Sequence, residues 1–70
     1  MAYYYLNKNP QTTGEHEVHK EGCYRMPEKE NCISLGWCSN AIEAVEKAKK
    51  MYYGTNIDGC YYCSKEAHKI

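Results

Sequence analysis

The chain has 70 residues, with nine basic and nine acidic side chains and a formal net charge of zero. A length of this order holds one small domain, residues 1–70, whose core supplies only about 3–5 kcal/mol unless something staples it. The even charge balance, with no basic arm in either half, argues against a nucleic-acid partner, because phosphate neutralisation normally demands a cationic footprint.

Residues 2–6, Ala-Tyr-Tyr-Tyr-Leu, read as a first strand from their aromatic content. Tyr3 and Tyr5 would share one face, and Tyr4 and Leu6 the other. Asn9-Pro10 and Gly14 punctuate the next stretch as a loop. Glu15 to Lys20 alternates weakly and suits the second arm of a hairpin, with His16 and Val18 on one side and Glu15, Glu17 and His19 on the other. Residues 21–31 hold Gly22 and Pro27 and read as loop. Ile33-Ser-Leu-Gly-Trp37 gives the cleanest alternation in the chain, placing Ile33, Leu35 and Trp37 together.

A helix is predicted over about Ala41–Tyr53. Asn40 is its N-cap, and Glu43 stands three residues on, as a capping box requires. Ala41, Ala44, Val45, Ala48 and Tyr52 form the apolar stripe. Gly54 follows its end. Thr55–Gly59 reads as a turn, and Ser64 as the cap of a last helical turn over Lys65–Lys69. The expected fold class is α+β: an antiparallel sheet of about three strands with one helix packed on it.

Five cysteines in 70 residues call for an explanation. The start of the chain has no basic region followed by a long apolar one, and no stretch approaches the length of a membrane span. The expectation is a cytoplasmic protein without a membrane partner. Its thiols would stay reduced there, and close cysteine pairs bind metal more often than they form disulfides. Two pairs stand out. His19-Lys-Glu-Gly-Cys23 lies early, and Cys60-Tyr-Tyr-Cys63 late. Two close pairs from distant segments supply the four nitrogen and thiolate ligands that tetrahedral zinc prefers. Gly22 lets the first pair converge, and Asp58-Gly59 turns the chain into the second. The candidate zinc ligands are His19, Cys23, Cys60 and Cys63, with His68 a rival to His19.

This layout resembles the metal-binding domain of Ada-type DNA-repair regulators. That family pairs an early Cys-x-x-x-Cys with a late Cys-x-x-Cys around a strand and an Ala- and Glu-rich helix. The matching positions here are His19 and Cys23, then Leu35-Gly36-Trp37, then Ala41-Ile-Glu-Ala-Val45, then Cys60 and Cys63, covering roughly residues 18–63. The resemblance implies a zinc-stapled α+β domain. In the family the first cysteine accepts a methyl group from DNA, and His19 occupies that place, so the resemblance points to the metal fold and not to the repair reaction.

The remaining residues carry weaker signals. Cys32 and Cys38 flank the Ile33–Trp37 strand as small apolar residues, extra ligands or a disulfide. Glu15, Glu17, Glu28 and Glu30 read as a solvated face. No carboxylate pair, Ser/His/Asp pattern or phosphate loop suggests catalysis. The reading is a non-catalytic structural zinc domain, its tyrosine-rich surface open to a protein partner. The alternatives are a disulfide-stabilised protein, a redox or alkyl-accepting thiol protein, and an Ada-like DNA-binding domain.

Overall fold

The computed structural model describes residues 1–69. Its elements run β1 (Ala2–Asn7), β2 (His16–Lys20), β3 (Cys32–Cys38), α1 (Ala41–Met51) and β4 (Ile57–Gly59). Short 3-10 turns occupy Lys29–Asn31 and Lys65–Ala67. The fold is α+β, with one helix on a four-stranded sheet of order β3-β1-β2-β4. Both β2 and β3 run antiparallel to β1, whereas β4 runs parallel to β2. The sheet is therefore mixed, and one strand wider than sequence reasoning gives. Ile57–Gly59, expected as a turn, is the added strand; three residues are too few to display a period, and the neighbour β2 makes them a strand.

The core lies between the sheet and α1. Tyr4, Leu6, Val18 and Leu35 come from the strands, and Ala41, Ala44, Val45 and Ala48 from the helix, all buried. The alanines let the helix sit close to the sheet, which suits so thin a core. Tyr4 and Leu6 share a face as the alternation of β1 predicts, and that face is the buried one.

The inward set on β3 departs from its expected alternation. Tyr4 pairs with Gly36 but Tyr5 pairs with Ser34, so Leu35 is an extra residue in the ladder. Such a bulge reverses the facing of everything beyond it. Gly36 takes φ +79 there, a conformation that L side chains resist. Leu35 stays in the core, while Trp37 is carried to the outer face and lies 4.9 Å from the ring of Tyr3, edge to face.

Helix α1 is capped as expected. The Asn40 side chain accepts from the Glu43 N–H at 2.9 Å. Glu43 returns to the N–H of Ser39 at 2.6 Å, one residue before the usual capping-box target. The Glu66 carboxylate accepts from the N–H of Ala41 at 3.2 Å, tying the C-terminal turn to the start of the helix. Asn40→Ala is expected to destabilise the protein by about 1 kcal/mol, read as a lowered urea midpoint at unchanged slope.

Candidate metal centre

The pleat of β2 sends consecutive side chains to opposite faces. Val18 goes into the core against α1, and His19 goes to the other side. His19 is nevertheless 1 % exposed. What covers it comes from the end of the chain. β4 pairs with β2 so that Gly59 lies beside Val18, and the Cys60 N–H continues the ladder to the Val18 carbonyl at 2.9 Å. Cys60 is thereby delivered alongside His19. The chain then turns back, with the Ser64 N–H donating to the Cys60 carbonyl at 2.8 Å, so Cys60 and Cys63 share one turn.

The other segment arrives through a reverse turn after β2. The Cys23 N–H donates to the Lys20 carbonyl at 3.0 Å, and Gly22 sits at φ +89 in the third position, where positive φ is required. Cys23 is thus folded back over His19. One nitrogen of His19 and the sulfurs of Cys23, Cys60 and Cys63 all lie within 4.8 Å of one another. The Cys23 and Cys60 sulfurs are 3.9 Å apart, as are the Cys63 sulfur and His19 Nδ1. A tetrahedral zinc ion with bonds of about 2.0–2.3 Å has edges near 3.6–3.8 Å. The same spacing is far from the ~2.05 Å of a disulfide, and all five cysteines are free thiols.

The surroundings of the cluster suit thiolates. The Lys20 N–H points at the Cys63 sulfur at 3.2 Å, and the Arg25 N–H at the Cys23 sulfur at 3.4 Å. Such N–H···S contacts orient and stabilise metal-bound sulfur. His19 turns Nδ1 toward the thiols. Its buried Nε2 has no hydrogen-bond partner among the described residues and faces the Glu17 carboxylate at 3.6 Å. That arrangement matches the outer carboxylate that holds a ligating imidazole in place.

Burial shapes the protonation of these groups. It lowers the pKa of His19, favouring the neutral imidazole that can ligate. It pushes the Cys63 thiol up to about 12, with the neighbouring Cys23 and Cys60 thiols adding to the effect and the Lys20 N–H opposing it. A thiol raised in this way is the reverse of a reactive, low-pKa redox cysteine. A divalent ion supplies the positive charge that three crowded sulfurs need before they ionise.

Outside the cluster, the other candidates have different work. His68 Nδ1 lies 2.9 Å from the Gly59 carbonyl and 3.1 Å from the buried Asp58 carboxylate, so its ring braces the β4 end. His16 Nδ1 contacts the Asn7 carbonyl at 2.9 Å. Cys32 and Cys38 stand at opposite ends of β3, too far apart for a disulfide, and neither joins the cluster. The acidic residues divide. Glu28 and Glu30 are exposed, but Glu15 is buried against Thr13 and Glu17 is half-buried behind His19. The latter two correct the expectation of a uniformly solvated face, because β4 and the loop before β2 cover them. Ser64 does not cap its 3-10 turn; it is buried, with Oγ 3.7 Å from the Cys63 sulfur.

Sequence reasoning missed Glu17 as the carboxylate behind His19. The signal was present, because Glu17 and His19 are two apart on one strand and so share a face.

No family model, curated protein or solved structure matches the chain. No homology to Ada-type domains is shown, and what the structure supports of that likeness is the His19, Cys23, Cys60 and Cys63 cluster. Among the described residues, no helix is long and apolar enough to cross a membrane.

Proposed function

We propose that this chain is a small structural zinc-binding domain, with zinc held by His19, Cys23, Cys60 and Cys63. The observation that carries the reading is the convergence of those four ligand atoms within 4.8 Å from two segments distant in the sequence. The donor set supports zinc over harder cations, since three sulfurs and one imidazole suit a soft, tetrahedral ion. Four protein ligands close the coordination sphere and leave no position for a reactive water, so the centre holds the fold instead of performing hydrolysis. The ion ties the end of β2 to the C-terminal turn across the face of the sheet opposite α1. The role that follows is non-catalytic: the staple holds two loops rigid and presents their surface to a partner.

Metal analysis of the reduced, monomeric protein tests this, with about one zinc per chain expected. The choice of imidazole is tested separately. His19→Ala is expected to weaken zinc binding by more than about 100-fold, since loss of even an outer partner of a ligand costs ~10–100-fold. His68→Ala is expected to keep one zinc per chain, because its ring is engaged by Gly59 and Asp58. Competition with a chromophoric chelator reads both variants, and equal affinity in the two would reject the assignment.

A further inference from the structure

The two loops that carry the cysteines also carry a run of exposed aromatic rings. Tyr24 follows Cys23, and Tyr61 and Tyr62 lie between Cys60 and Cys63. They are 78 %, 50 % and 54 % exposed. Their rings nevertheless form a connected chain, with centroids 5.8 Å apart for Tyr24 and Tyr62 and 5.3 Å for Tyr62 and Tyr61. Cations are set among them: the Arg25 guanidinium lies 4.5 Å from the Tyr62 ring centre, and the Lys65 ammonium 5.5 Å from that of Tyr61. Among the described residues, neither cation forms an ion pair with a carboxylate. Glu66 is engaged with the N–H of Ala41 and Glu21 with the Tyr5 hydroxyl, while the half-buried Glu17 carboxylate lies near enough to Arg25 to feel its charge.

We propose that Tyr24, Arg25, Tyr61 and Tyr62 form a stacking platform for single-stranded nucleic acid. Such sites combine aromatic faces, on which successive bases stack, with cations that track the backbone phosphates. Arg25 serves both purposes, since a guanidinium held against a ring offers a second flat surface and free N–H groups for phosphate. The zero net charge, which argued against nucleic acid from composition, weighs on single strands as well, so the affinity here would come chiefly from stacking on the rings. Arg25 and Lys65 are the cations set beside those rings. The proposal rests on the zinc reading, because the ion would hold the Cys23 and Cys60–Cys63 loops in register with each other.

The test is fluorescence anisotropy of a labelled oligo-dT of about 10 nucleotides, inside the ~4–16-nucleotide range of small single-strand modules, titrated at low salt with zinc-loaded protein. Saturable binding is expected, weaker for a duplex of the same length. Tyr62→Ala and Tyr61→Ala are each expected to weaken it by about 10-fold. Arg25→Ala is expected to flatten the salt dependence by about one unit of slope. Tyr53→Ala removes a still more exposed ring outside the platform and should leave binding unchanged. Zinc content is measured on every variant, so a failure of the metal site is distinguished from a failure of the platform. Zinc-loaded wild-type protein that does not bind the oligonucleotide overturns the proposal, as does binding indifferent to Tyr61, Tyr62 and Arg25. Binding to polyglutamate but not to the oligonucleotide, with the same tyrosine dependence, would overturn it in favour of an acidic protein partner.

Discussion

Removing zinc with a strong chelator under reducing conditions is expected to unfold the protein. The core is small, with four alanines among its eleven buried residues, and a core of this size contributes about 3–5 kcal/mol. A structural zinc site of the proposed kind contributes about 10–16 kcal/mol of binding free energy, and that energy becomes folding energy when the unfolded chain has no preformed site. Without the ion, three crowded thiols and a buried imidazole are left facing each other on the side of the sheet away from α1. Far-UV circular dichroism should show loss of helix and strand on chelation and recovery on adding one equivalent of zinc. Cys60→Ser should behave like the chelated protein, because it removes one sulfur of the four-atom cluster at a position only 1 % exposed. A chelated monomer that keeps a cooperative urea transition would refute the staple.

Gly59→Ala is expected to be the most damaging single methyl in the chain. A Cβ at Gly59 would lie 2.6 Å from the Ser64 carbonyl oxygen and 2.9 Å from the Ala67 Cβ. Both obstacles are rigid: one is backbone and the other is a buried alanine, so neither can swing aside. Accommodating the methyl means displacing the 3-10 turn, and with it Cys63 and the Glu66 contact to α1. Overpacking of this kind costs about 1–3 kcal/mol and occasionally more, and the upper end is expected here. The measurement is the urea midpoint of zinc-loaded protein. A midpoint within error of the wild type would mean that the C-terminal turn is not seated on β4.

The two expectations draw on different parts of the chain. The ligand pairs were legible as spacings, His19 with Cys23 and Cys60 with Cys63, because metal-binding turns are local. Helix α1 was legible for the same reason: its alanine stripe, the Asn40 cap and Glu43 all act within a few residues. Gly59 carried no such signal, since the atoms that forbid a side chain there belong to residues five and eight positions on, brought back by the turn.

Trp37 shows the limit of pattern reading most clearly. Its alternation with Ile33 and Leu35 is real in the sequence, but the extra residue at Leu35 reverses the facing. A bulge is decided by the register against β1, and register is a property of two strands. The strand Ile57–Gly59 was hidden likewise, because its parallel pairing with β2 is what defines it.

Local chemistry, then, was written in the residues: which side chains could ligate a soft metal, where the helix starts, and which residues of β1 and β2 share a face. The tertiary structure alone decided that His19, and not His68, joins the three cysteines. It also set Glu17 behind the imidazole and gathered three tyrosines and Arg25 on the loops that carry the cysteine cluster. The reason is physical. Ligand type, capping and pleat act over neighbours in sequence, whereas convergence of segments more than thirty residues apart depends on strand order, and strand order follows from burial of the whole chain.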